Sequence, residues 1–114
     1  MHDVGSRLRG RFVNCMYRVY PRGDAQRAAV CVGFAVGKKI ATPVRRNALR
    51  RRMKEAYRRS KLPLTKAANR LGLAIDLVFA VSGNLSSTPA KMNLASDISS
   101  FLDTIERQIA EGVG

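Results

Sequence analysis

The chain has 114 residues, a formal charge of +13 and a pI near 11.1, so it is long enough for one compact core, too short for two, and positive at any cellular pH. Its longest apolar run, residues 73–81, is broken by Asp76 and falls far below the roughly 20 residues of a membrane span. Residues 1–10 are polar and lack the apolar stretch of an export signal, which leaves a single cytoplasmic domain over 1–114, with mobile ends at 1–10 and 111–114.

Residues 11–20 alternate two sets, Val13, Cys15, Tyr17 and Val19 against Phe12, Asn14, Met16, Arg18 and Tyr20, which is the period of a β-strand. Pro21-Arg22-Gly23-Asp24 supplies turn chemistry. Residues 28–37 then read as a second strand, with Val30, Val32, Phe34 and Val36 on one face and only the small residues Ala29, Cys31, Gly33 and Ala35 on the other. Small side chains on a sheet face either leave room for a ligand or allow tight packing under a helix, and both readings stay open. Cys15 and Cys31, with no C-x-x-C pair and no histidine nearby, read as reduced core thiols and not as a disulfide or metal site.

Thr42 followed by Pro43 is a helix start, a hydroxyl that accepts from orphan backbone donors and a proline at the first helical position. The helix is expected to run to about Ser60. At about 100° per residue, Leu49, Met53, Ala56 and Tyr57 share one face, while Asn47, Arg50, Arg51, Lys54 and Arg58 lie opposite. The azimuth of Arg46 falls between Met53 and Tyr57, so this guanidinium projects where helix meets sheet. Pro63 is expected to stop the helix, with a short turn over 65–71 before Gly72. A strand over 73–82, apolar enough for burial on both faces, follows. From Pro89 onward, Leu94, Ile98, Phe101, Leu102, Ile105 and Ile109 repeat at helical spacing, capped by Thr88 or Ser87.

Charge is concentrated in residues 36–59, where ten of the 21 basic residues meet one acid, Glu55. Like charges three and four apart, such as Arg46 with Arg50 and Arg51 with Lys54, each cost a few tenths of a kcal/mol, roughly, in an isolated helix. A solvated, salt-bridged face therefore does not account for this segment, whereas neutralisation by a polyanion does, and nucleic acid is the expected partner. His2 is the single histidine, and the eight acids form no cluster in sequence, so no catalytic group and no metal site is expected in the protein.

Gly33-Phe34-Ala35-Val36-Gly37-Lys38-Lys39, followed by Ala41, Val44, Arg46-Asn47, Arg50-Arg51 and Lys54-Glu55, strongly resembles the signature of the bacterial ribonuclease P protein component, V-x-R-N-x-x-[KR]-R-x-x-[KR]-E on a helix after a strand ending in Lys-Lys. Looser similarity covers most of the chain, through Phe12, the D-L-V-F-A run at Asp76 and the closing amphipathic helix. The resemblance implies an α+β fold: an α/β sandwich like the second domain of ribosomal protein S5, with a four-stranded sheet and a left-handed βαβ crossover carrying the basic helix, against the usual hand. The implied function is that of the non-catalytic subunit of an RNA-based endoribonuclease that removes the 5′ leader of precursor tRNA.

The implied partners are the catalytic ribonuclease P RNA and precursor tRNA, with no membrane and no obligate protein partner. The protein itself would bind no cofactor, magnesium being held by the RNA. RNA binding is expected at Lys38, Lys39, Arg45, Arg46, Asn47, Arg50, Arg51, Lys54 and Arg58, and a leader cleft at Phe12, Arg18 and Arg46. An equal alternative makes Phe12 and Tyr20 core residues under the closing helix. In two places the chain departs from the family: no helix with cleft-lining aromatics precedes residue 11, and Ser82-Gly83 stand where the family often carries a basic residue. Two other classes compete, a structural or chaperone-like RNA-binding protein with no nuclease role, and a basic helix lying on lipid or in a protein groove.

Overall fold

The computed structural model describes residues 6–23, 28–37, 42–81 and 93–111. In chain order the elements are β1 (Ser6–Arg9), β2 (Asn14–Pro21), β3 (Val30–Val36), α1 (Pro43–Ser60), α2 (Leu62–Leu71), β4 (Leu73–Val81) and α3 (Leu94–Ala110). The strands form one sheet in the order β1-β2-β4-β3, antiparallel at β1/β2 and β2/β4 and parallel at β3/β4. A parallel pair needs a long crossover, and α1 and α2 lie within it.

All three helices cover one face of the sheet. Cys15, Tyr17, Val36, Ile75, Leu77, Phe79 and Val81 join Leu49, Met53, Leu64, Ile98, Phe101 and Ile105 in one core. At its centre the Phe79 ring lies 5.8 Å from Phe34, 6.1 Å from Tyr57 and 6.3 Å from Phe101, so one side chain of the middle strand touches an edge strand and two helices. Offset and edge contacts of this kind add about 0.5–1.5 kcal/mol per pair beyond area burial.

Local chemistry sets the boundaries. The Thr42 hydroxyl accepts from the Arg45 N–H at 3.3 Å, with Pro43 in the first turn of α1. Gly72 closes α2 at φ 68°, a left-handed conformation that costs a Cβ-bearing residue about 1–2 kcal/mol. Asn93 caps α3, its side-chain oxygen accepting from Ser96 N–H at 3.1 Å. Asp97, one turn into that helix, accepts the backbone N–H groups of Phe12 at 2.6 Å and Val13 at 2.9 Å, tying the lead-in of β2 to α3. The Tyr17 hydroxyl donates to Gln108 on the same helix.

Five expectations change. Ser6–Arg9, placed within a mobile end, is a strand, because β2 offers it a full edge and Leu8 packs against the core. Pro63 starts a helix instead of only ending one: it sits in the first turn of α2, where its missing N–H is no loss. Residues 73–81 are not buried on both faces, since alternate positions from Asp76 to Ala80 are only half-buried. The cap of α3 is Asn93, while Ser87 and Thr88 lie outside the described residues. Cys15 is buried, but Cys31 is exposed, because the small-residue face of β3 points away from the helices.

Candidate nucleic-acid interface

Two surfaces carry the chemistry, the outer side of α1 and the uncovered face of the sheet. On α1 the buried Leu49, Met53, Ala56 and Tyr57 fix the rotation of the helix, which leaves Arg45, Asn47, Arg51, Lys54, Arg58 and Arg59 exposed and Arg46, Arg50 and Arg52 half-buried. Half-burial of Arg46 agrees with its expected position at the edge of the apolar face. The Asn47 side-chain oxygen accepts from the Arg50 guanidinium at 3.0 Å.

Glu55, the single acid of α1, is committed to the far end of the helix. It accepts from Arg58 at 2.6 and 3.1 Å and from Arg59 at 3.1 Å. The Arg58 hydrogen bond, foremost, holds its carboxyl below the usual carboxylate range, and Glu55 in turn raises Arg58. The cations from Arg45 to Lys54 thus lie upstream of the helix's only countercharge. Arg58, expected to face RNA, is half of an exposed ion pair, a class of contact weak enough to exchange for phosphate. Lys38 and Lys39 lie outside the described residues.

On the uncovered sheet face, register brings together Arg7, Met16, Val78 and Gly33 in one row, Arg9, Asn14, Ala80 and Ala35 in a second, and Arg18, Asp76 and Cys31 in a third. Directly paired residues project to the same side of a sheet. No helix packs here, so of the two readings of the small residues of β3, the open one holds: Cys31 and Ala35 are exposed and Met16 is 41% exposed. Asp76 accepts from Arg18 at 3.5 Å and from Tyr20 at 3.1 and 3.2 Å, and the Arg18 guanidinium lies 5.4 Å from the Tyr20 ring centroid.

The three residues expected to form a leader cleft are separated by the fold. Arg18 projects from the open face. Phe12 precedes β2, its backbone is held by Asp97 and its ring packs against the core; the strand's alternation does not extend back to it because residues 11–13 bend. Arg46 is on α1, which packs against the opposite face of the sheet. Arg7 and Arg9 on the open face were not foreseen: Ser-Arg-Leu-Arg has strand alternation, but four residues are too short to register against a polar end. Among the described residues no group of three or more His, Cys, Asp or Glu side chains converges, and no helix is long and apolar enough to cross a membrane.

The ribonuclease P family model matches residues 4–106. The chain belongs to the ribonuclease P protein family. It is 42% identical over 69 residues to the ribonuclease P protein component of Chlorobaculum tepidum, covering 59% of this chain and 45% of that protein's length. In fold it is similar to the ribonuclease P protein of Thermotoga maritima, with a TM-score of 0.60 at 21% identity over 90% of this chain and 83% of the other. The Staphylococcus aureus ribonuclease P protein gives 0.54 at 17% identity over 96% and 84%. These structures share the α+β architecture described above. Family membership also accounts for the basic helix: Val44, Arg46-Asn47, Arg50-Arg51 and Lys54-Glu55 stand at the signature positions.

Proposed function

We propose that this chain is the protein subunit of ribonuclease P, binding the catalytic RNA through α1 and the 5′ leader of precursor tRNA across the open sheet face. The observation that carries the reading is the charge geometry of α1: the family element lies on a helix whose rotation is fixed by four buried residues and whose one acid is engaged at the far end. Arg45, Arg46, Arg50, Arg51 and Lys54 then meet RNA phosphates, with Asn47 orienting Arg50 and with Lys38 and Lys39 extending the charge toward the preceding strand. Basic side chains on a rigid helix neutralise phosphate at little ordering cost.

The sheet face suits the leader because single-stranded RNA is held by planar or apolar surfaces under the bases and cations along the backbone. Met16, Val78 and the small residues of β3 supply a low floor, and Arg18 with Tyr20 supplies a cation and a ring at one end. Chemistry belongs to the RNA subunit and the magnesium ions it binds, and the protein's positive charge lowers the magnesium that the folded RNA requires. Reconstitution with the cognate RNA subunit at low magnesium tests the proposal. Protein-dependent release of the leader is the expected result. Tight RNA binding with no effect on cleavage would instead favour a structural RNA-binding protein.

A further inference from the structure

β1 is the outer edge of the sheet on the side away from α1, and its side chains divide cleanly. Leu8 packs against the core, whereas Arg7 and Arg9 pair in register with Met16 and Asn14, both on the open face. Both arginines are exposed, and no ion pair or hydrogen bond among the described residues engages either side chain. Two like charges on one short strand repel each other, and no local acid relieves them: the acid of the open face, Asp76, is held by Arg18 and Tyr20 two strands away. The rows therefore run from a guanidinium on β1, over an apolar or small-residue floor, to β3.

We propose that Arg7 and Arg9 form a cationic rim that takes successive backbone phosphates of the single-stranded leader lying on the open sheet face. The inference rests on the placement of the leader proposed above. Residues two apart on one strand lie about 7 Å from each other on the same side, so an extended polyanion running along β1 meets both guanidinium groups while its bases turn inward over Met16, Asn14 and Val78. Arginine suits the role because its planar fork binds phosphate with two parallel N–H donors. The register matters: one residue of slip would aim both arginines at the core and Leu8 at solvent.

The test uses the reconstituted holoenzyme with three protein variants: Arg7→Ala with Arg9→Ala, Arg7→Gln with Arg9→Gln, and Lys66→Ala with Arg70→Ala. The last removes the same charge from α2, outside both proposed surfaces. Binding is measured across a salt series with precursor tRNA carrying a long leader, precursor with the leader trimmed to one nucleotide, and mature tRNA. Both rim variants are expected to bind the long-leader precursor about tenfold more weakly, the scale of one charge-assisted contact. Their log–log salt slope should be shallower by about 1.4, which is two phosphate contacts at ~0.7 each on a single strand. Mature tRNA and the α2 variant should show no such change. Equal loss on all three ligands, or wild-type leader preference in both rim variants, overturns the rim. If the wild-type protein forms no holoenzyme, or shows no leader preference, the functional reading itself fails, a result the variants cannot imitate.

Discussion

The side-chain oxygen of Asn47 lies 3.0 Å from the Arg50 guanidinium, one turn further along α1, so the two residues act as one unit: the amide removes rotamer freedom from the arginine before any phosphate arrives. Asn47→Ala is expected to leave the charge of the helix intact and weaken RNA binding by about three- to tenfold, the scale of one neutral hydrogen bond. Its salt slope should match wild type. A flattened slope would show that Asn47 removal displaces the arginine from its phosphate altogether.

Arg50→Ala combined with Arg51→Ala removes two phosphate contacts from the same surface. The slope of log K against log salt for the catalytic RNA should fall by about 1.4–1.8, at 0.7–0.9 per contact. Unchanged affinity and slope would place the RNA elsewhere.

Glu55→Gln releases Arg58 and Arg59 from their carboxylate. Because the ion pair is exposed, folding stability should hardly change, while affinity for RNA rises and its salt dependence steepens as the two cations become available. A calorimetric melt and a salt titration separate the two effects.

Asp97 holds the N–H groups of Phe12 and Val13, and hydrogen bonds to a charged acceptor contribute about 1.5–3 kcal/mol. Asp97→Ala should lower stability by about 2–3 kcal/mol in urea unfolding, and Asp97→Asn, which keeps one acceptor, by less. Gly10→Ala should disturb the same joint, since a Cβ there would sit 2.7 Å from Asp97 Cγ and 2.8 Å from the Val13 carbonyl oxygen. A loss below about 0.5 kcal/mol for Asp97→Ala would mean that water replaces the carboxylate.

The two thiols should behave differently. Burial pushes Cys15 up to about 12, from an ordinary value of 9.0, whereas Cys31 is exposed. Native alkylation at pH 8 should therefore modify Cys31 and spare Cys15, read by mass spectrometry. The sign for stability follows: a thiol kept protonated in the fold ionises more readily when unfolded, so its contribution is complete below pH 9 and declines as pH rises toward 12. Cys15→Ala should flatten that alkaline limb.

Periodicity made the core legible. Leu49, Met53, Ala56 and Tyr57 on α1 and the six apolar positions of α3 are buried as their spacing requires, because a 3.6-residue repeat leaves a helix one way to lie on a sheet. Strand pairing was less legible. Whether Cys31, Gly33 and Ala35 sit under a helix or in the open depends on which side the crossover passes, a non-local fact that composition does not encode. Phe12 was assigned to the open face by extending an alternation two residues too far. Its position is set instead by Asp97, 85 residues along the chain. Pro63 was taken as a stop signal when its ring geometry equally suits a start.

The strand order also fixes when the fold can exist. β4 lies between β2 and β3, and its parallel and antiparallel neighbours both precede it in the chain. During synthesis β2, β3 and the whole of α1 leave the ribosome without the strand that joins them, and the last helix, with Asp97, follows later still. Long-range pairing of this kind is slow. The nascent chain therefore presents a highly cationic segment, its apolar side uncovered, to a cytosol full of RNA before its own core can close, and an RNA that binds α1 at that stage would help to order the helix on which the sheet later condenses.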